Sequence, residues 1–168
     1  LSADAMTLKL ADTDNATATT TFDIDSIETI TVSHIKEEAG SYEDHKVSFA
    51  GTANSTNKTK LVFTGGDAAN SVTIADSGLV ADINTIDASG FSSALVISNA
   101  ARLNTGAMTI TGGDDTDTIP MENASDVLDG GGEDGDILVV AKNAVVGGFT
   151  VDLSASADQV TSWNGGAN

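Results

Sequence analysis

Nine carboxylates, Asp114, Asp115, Asp117, Glu122, Asp126, Asp129, Glu133, Asp134 and Asp136, fall within 23 positions, and no Lys or Arg stands between Arg102 and Lys142. So many uncompensated charges repel one another in a compact fold unless a cation sits among them. The chain has no cysteine, so its metal donors are carboxylate and carbonyl oxygens. Such hard donors suit calcium, which accepts irregular oxygen ligation more readily than magnesium does.

The acids are also spaced. Residues 112–120 read GGDDTDTIP, 121–129 read MENASDVLD and 131–139 read GGEDGDILV, with Gly130 as an extra residue. Each nonapeptide sets an Asp two residues before an apolar side chain: Asp117 before Ile119, Asp126 before Leu128, Asp136 before Leu138. A weaker relative, GGDAANSV at 65–72, has the spacing but carries Asn70 where the others carry the carboxylate. Gly66, Asp67 and Asn70 are therefore secondary metal candidates, with a plain turn as the simpler expectation.

Other chemistry is less well supported. His34 and His45 lie near Glu37, Glu38, Glu43 and Asp44, but a spacing of 11 fits no compact zinc signature, and a solvated charged loop is expected. Glycosidic cleavage needs carboxylate pairs, or carboxylates with Arg or Lys, in a groove. Arg102 is the only arginine and the aromatics are few, so a polysaccharide-degrading enzyme is the less favoured reading. A formal charge of -18 argues against binding nucleic acid or an anionic membrane, both of which need a basic face. No apolar run approaches the roughly 20 residues of a membrane-spanning helix. The opening Leu1-Ser2-Ala3 reads as part of a longer or processed chain.

The elements that would position these residues are strands. Thr, Val, Ile, Ser, Gly and Asp dominate, and β-prone runs recur at 19–24, 28–32, 46–49, 61–63, 72–74, 83–86, 94–97, 108–110, 137–140 and 149–153. Phe63, Ile74, Ile86, Ile97 and Ile110 fall 11, 12, 11 and 13 residues apart, room for one strand and one turn each. That spacing suits a sandwich or a stack of parallel rungs; the tandem nonapeptides favour the stack, with apolar residues inward and Gly and Asp in the turns. The expected fold is all-β: a right-handed parallel β-solenoid at 61–168, with the nonapeptides at 112–139, preceded by a less regular β portion at 1–60. Within that portion 16–21 and 51–60 read as loops and 34–46 as an exposed excursion.

The nonapeptides resemble the G-G-x-G-x-D-x-apolar-x repeats of calcium-binding RTX proteins. The resemblance implies that two turns on one side of the roll share each calcium, through turn carbonyls and the Asp carboxylate. Carried over by position, the candidate ligands are Gly113, Asp115, Asp117, Gly132, Asp134 and Asp136. The chain departs from the pattern where Asp115 and Asp134 replace a Gly, and where Met121-Glu122 replace the Gly pair. Phrases such as IETITV at 27–32 and MTITGG at 108–113 are similar to the Thr/Gly-rich solenoids of bacterial S-layer and related surface proteins. That likeness implies type I secretion, an extracellular position at the cell surface, and a structural role built by self-association or by neighbouring domains of a longer chain. The alternative is an adhesin or glycan-binding module that grips cell-surface polysaccharide, with 1–60 and the 34–46 excursion as its contact.

Overall fold

The computed structural model describes residues 4–11, 18–36, 42–51, 58–79, 82–98, 106–123, 125–133, 135–140 and 162–163. The strands among them are β1 (Ala5–Leu10), β2 (Thr19–Asp23), β3 (Thr29–His34), β4 (His45–Ala50), β5 (Thr59–Gly65), β6 (Ser71–Leu79), β7 (Ile83–Phe91), β8 (Ala94–Ile97), β9 (Thr109–Thr111), β10 (Thr118–Met121), β11 (Val127–Asp129), β12 (Ile137–Val140) and β13 (Ser162–Trp163). Among the described residues there is no helix, hence none long and apolar enough to cross a membrane.

The odd strands β1 to β11 make one six-stranded sheet; the even strands, with β13 beside β12, make a seven-stranded one. Every neighbouring pair is parallel, and neither sheet closes on itself. Parallel neighbours require a crossover. From β1 to β12 that crossover is a strand of the opposite sheet, so the chain passes back and forth between the two sheets.

Strand burial follows the period of two that a half-buried strand dictates. In β3 and β5 the inward Ile30, Val32, Leu61 and Phe63 are buried, and the residues between them are half-buried. Register then stacks like on like: Met6, Ile30, Leu61, Ile86, Ile110 and Leu128 are aligned across the six strands of the first sheet. Buried residues of both sheets, such as Phe63 and Ile86 from one and Phe49, Ile74 and Ile97 from the other, belong to one hydrophobic cluster, which places the core between the sheets. Each such side chain contributes about 1.5–3 kcal/mol by leaving water.

The anchors Phe63, Ile74, Ile86, Ile97 and Ile110 fall on β5 to β9 in turn, alternating sheets, so their 11- to 13-residue interval is one strand and one turn. Coil length varies along the chain and is shortest at the nonapeptides. Thr29 pairs Lys60, 31 residues on, whereas Thr109 pairs Val127 at 18 and Thr118 pairs Ile137 at 19.

Several expectations need correction. Thr19 to Thr21, read both as the start of a β-prone run and as the end of a loop, belong to β2, because pairing with β4 satisfies their backbone groups. Within 1–60, strands β1 to β4 join the same two ladders as the rest. The strands β1, β10, β11 and β13 are additional to those expected. The excursion at 34–46 is not simply exposed: His34 and His45 are both buried, with ring centroids 5.1 Å apart. The expected strand at 149–153 lies outside the described residues.

Because neighbours within each sheet are parallel, the turns from odd strands to the next even ones lie on one side, and their described residues at 34–36, 42–45, 65–71, 91–94, 111–118, 129–133 and 135–137 stack in one column.

Candidate functional site: a column of turns and its carboxylates

Hydrogen bonds run down this column from turn to turn. Gly66 N donates to His34 O (3.1 Å), Ser92 N to Gly65 O (2.8 Å), Asp114 N to Phe91 O (2.8 Å) and Gly132 N to Gly113 O (2.7 Å). The turn at 65–71 is thus two coils from that at 111–118, with the short 91–94 turn between them.

At the first nonapeptide, Asp117 is buried beneath its own turn. Its Oδ1 accepts from Leu95 N on the neighbouring coil (2.6 Å) and its Oδ2 from Gly113 N (2.5 Å). Asp136, also buried, accepts from Asp117 N through Oδ1 (2.8 Å). The glycines make room for these carboxylates. A Cβ on Gly112 would lie 1.8 Å from Gly130 O and 2.3 Å from Asp117 Oδ2; one on Gly130 would lie 2.1 Å from Asp136 Oδ2. Burial pushes the Asp117 carboxyl up to about 6, against the two backbone N–H bonds that favour its anion; the charges of Asp136 and Asp115 add to the rise.

The two acidic turns do not align as the repeat pattern implies. Thr111 pairs Asp129 and the Gly132 N to Gly113 O bond continues that 18-residue offset, stacking Gly132 beside Asp114. By Thr118 and Ile137 the offset is 19. The register therefore changes beyond Gly132, not at Gly130.

Of the six main candidates, Gly113, Asp117, Gly132 and Asp136 meet in these two stacked turns. Asp115 is half-buried, its Oδ1 accepting from Thr116 N (2.7 Å), and Asp134 lies outside the described residues. In the secondary set, Gly66 has φ +90°, while Asp67 Oδ1 accepts from Ala69 N (3.1 Å) and Asn70 Nδ2 (2.8 Å), as in a self-capped turn. Among the described residues, no three His, Asp or Glu side chains are grouped as a metal centre would need. The oxygen-only donors of the 111–118 and 129–137 turns nevertheless fit calcium in chemistry. Each carboxylate oxygen retains acceptor capacity beyond one N–H bond, and a buried anion is one that a cation would stabilise.

A second use of acids was not apparent in the sequence. At five coil-to-coil steps a carboxylate just before or at the start of a strand accepts a main-chain N–H from the neighbouring coil: Glu28 from Asp4 (2.8 Å), Asp44 from Ser71 (2.7 Å), Asp117 from Leu95, Asp126 from Met108 (2.8 Å) and Asp136 from Asp117. The first N–H of a strand needs a partner, and a carboxylate supplies a charge-assisted one. The shared feature is position relative to a strand start. For Glu28 and Asp44 the coils differ in length, so no fixed period marks them.

Ser93 was also missed. It is buried, its Oγ within 2.8 Å of both Asp67 N and Asp67 O and 3.2 Å from His34 Nδ1. Because Glu43 O, 2.9 Å from His34 Nε2, can only accept, Nε2 carries the ring hydrogen. Burial first, and His45 second, hold the His34 pKa below its ordinary value, so Nδ1 is an acceptor that shares the single Ser93 hydroxyl hydrogen with Asp67 O. Ser93→Ala is expected to cost about 1–3 kcal/mol by leaving buried polar groups without this hydroxyl; chemical denaturation checks it, and an unchanged midpoint would contradict the assignment. No protein-family model, characterised protein or solved structure matches the chain.

Proposed function

We infer that the chain is a structural module of an extracellular bacterial surface protein, an S-layer-like or RTX-like parallel β-solenoid with calcium held between the turns at 111–118 and 129–137. The observation that carries this reading is the pair of parallel ladders between which strands β1 to β12 alternate. Such an arrangement makes a stiff stack around a continuous core from β1 to β11, a form suited to a building block. The right hand is expected from the general preference of parallel crossovers.

Calcium supplies compensation for buried and crowded carboxylates. This chain's part is to present them: Asp117 and Asp136 from below, Asp114, Asp115 and Glu133 from the rim, and the Gly112-Gly113 and Gly130-Gly131 backbones, whose missing Cβ atoms let the two turns approach. Export by a type I route and assembly with further copies or domains rest on the sequence resemblance. No observation favours the adhesin alternative, since the described ends of its presumed contact bury His34 and His45.

Calorimetric titration of the metal-free chain with calcium tests the reading. Binding near the ~0.1–1 mM affinities of extracellular calcium modules is expected, with magnesium much weaker. Absence of calcium heat and of any calcium effect on unfolding would remove the metal from this account.

A further inference from the structure

Ten residues, 35–44, separate β3 from β4, the longest link from an odd strand to the next even one, and a buried ring stands at each of its roots. His34 closes β3 beside Gly65, and His45 opens β4 beside Val72. The two imidazoles meet edge to face with centroids 5.1 Å apart, Tyr42 packs edge to face on His34 at 5.0 Å, and Glu43 O holds His34 Nε2 at 2.9 Å. The chain returning to β4 is thus fastened to the end of β3 through side-chain rings rather than through a ladder.

The groups around the pair decide how it meets a proton. Burial and the neighbouring His45 ring are the larger influences on His34 and oppose its charge, while the Glu43 carbonyl, Asp67 and Asp44 favour it. The other elements packed here supply Leu10 of β1, Val72 of β6, Phe91 of β7 and the hydroxyl of Ser93, none of which titrates in this range. Hydrogen bonding accommodates one cation: with Nδ1 protonated, Ser93 Oγ accepts from it and gives its own hydrogen to Asp67 O. A second charge 5.1 Å away in a buried site meets only repulsion from the first. Asp67 Oδ1 is taken by Ala69 N and Asn70 Nδ2, and the turns assigned to calcium lie beyond the 91–94 turn, so the pair stands apart from the metal reading.

We propose that His34 and His45 form an acid-released clasp: as neutral rings they hold Tyr42 and Glu43 against the stack, and proton uptake frees that contact while the ladders persist. The sign follows from burial. The closed form disfavours a charged ring, so the open form binds protons more readily and its population grows as pH falls below 6.5. Growth is about tenfold per pH unit for one proton and approaches about 100-fold for two. Release also loosens Asp44, whose Oδ1 accepts from Ser71 N (2.7 Å) and Ser71 Oγ (3.1 Å), so acid remodels the column at this coil without parting the sheets.

Tyr42 is the single tyrosine, so 3-fluorotyrosine places one reporter in the clasp. Fluorine NMR of the whole chain in EGTA, from about pH 8 to about 4.5 across the imidazole range, is the test. The signal is expected to move to the position of water-exposed fluorotyrosine with a midpoint below 6.5, and the His34 and His45 ring protons should titrate with it. Amide protection at Ile30 and Leu61 should remain. The His34→Gln/His45→Gln variant should lose the pH dependence of the fluorine signal. A signal that stays in place in the parent overturns the proposal, as does one that moves only when protection at Ile30 and Leu61 is lost, or one that moves equally in the variant. Where the variant does not fold, the parent's ring titration decides, and a midpoint apart from that of the fluorine signal overturns the clasp.

Discussion

Gly112→Ala is expected to destabilise the protein by about 3 kcal/mol, the upper part of the range for forcing one methyl into a closed space, while Gly90→Ala is expected to be neutral within about 0.5 kcal/mol. The contrast isolates the role of the turn. At Gly112 the added Cβ would meet Gly130 O at 1.8 Å and Asp117 Oδ2 at 2.3 Å, and the carbonyl is a backbone atom that moves only if the next coil moves with it. At Gly90, exposed on β7, the nearest atom is Thr64 Cγ2 at 3.9 Å, an ordinary contact. For a chain of 168 residues the first change corresponds to roughly 6–12 °C in Tm. Equal midpoints for both variants would mean that the 111–118 and 129–137 turns do not pack as described.

The second large effect is a pH dependence that calcium should reverse. The Asp117 carboxyl is raised to about 6 from 3.8, so between these values the folded chain holds a proton that the unfolded chain has released. Stability contributed by this group is then fully present below about 3.8 and is lost as pH rises through about 6. The displacement corresponds to about 3 kcal/mol at neutral pH. Two other groups work in the opposite sense. His34, depressed by burial, favours the fold above 6.5 and loses that contribution as pH falls. Asp87, held at about 2 mainly by its bond from Lys60, loses its own as pH falls through 2.

The Asp117 contribution is therefore read as the difference between the parent and Asp117→Asn, in EGTA, from pH 4 to 7. The parent should lose stability relative to the variant as pH rises. Calcium favours the anion, so in its presence the difference should flatten or change sign. A difference independent of pH would show that Asp117 is not held as a desolvated acid.

Much of the fold was legible because the core follows a simple rule. Inward Val, Ile, Leu and Phe at alternate positions, with the anchors Phe63, Ile74, Ile86, Ile97 and Ile110 recurring every 11 to 13 residues, marked β5 to β9. The short strands escaped because β10 contains Pro120 and β11 has three residues; each is held by its neighbours rather than by its own propensity. Pro120 is tolerated in a ladder because one N–H is lost there while the flanking pairs Thr118–Ile137 and Met121–Val140 keep register.

The site was legible in part. Asp117 and Asp136 were singled out by period, and they do stack one coil apart. Their burial and their bonds to Leu95, Gly113 and Asp117 main chain were not visible, because those partners are set by the tertiary stack. For the same reason His34 and His45 looked like members of a charged loop. What buries His34 is the stacking of the neighbouring coils, seen in Ser93 and Phe91, which lie more than fifty residues away in sequence.

Amide hydrogen exchange, resolved by residue in EGTA and in ~1 mM calcium, a level matched to extracellular calcium sites, tests the central claim most directly. The account predicts slower exchange with calcium at Gly113, Asp114, Asp117, Gly132 and Ile137, the donors that tie the two acidic turns to each other and to the coil beneath. Protection at Ile30, Val32 and Leu61, in coils without these turns, should change little. Uniform protection with and without calcium would contradict the stapled turns, and rapid exchange throughout β3 to β9 would contradict the stacked ladders themselves.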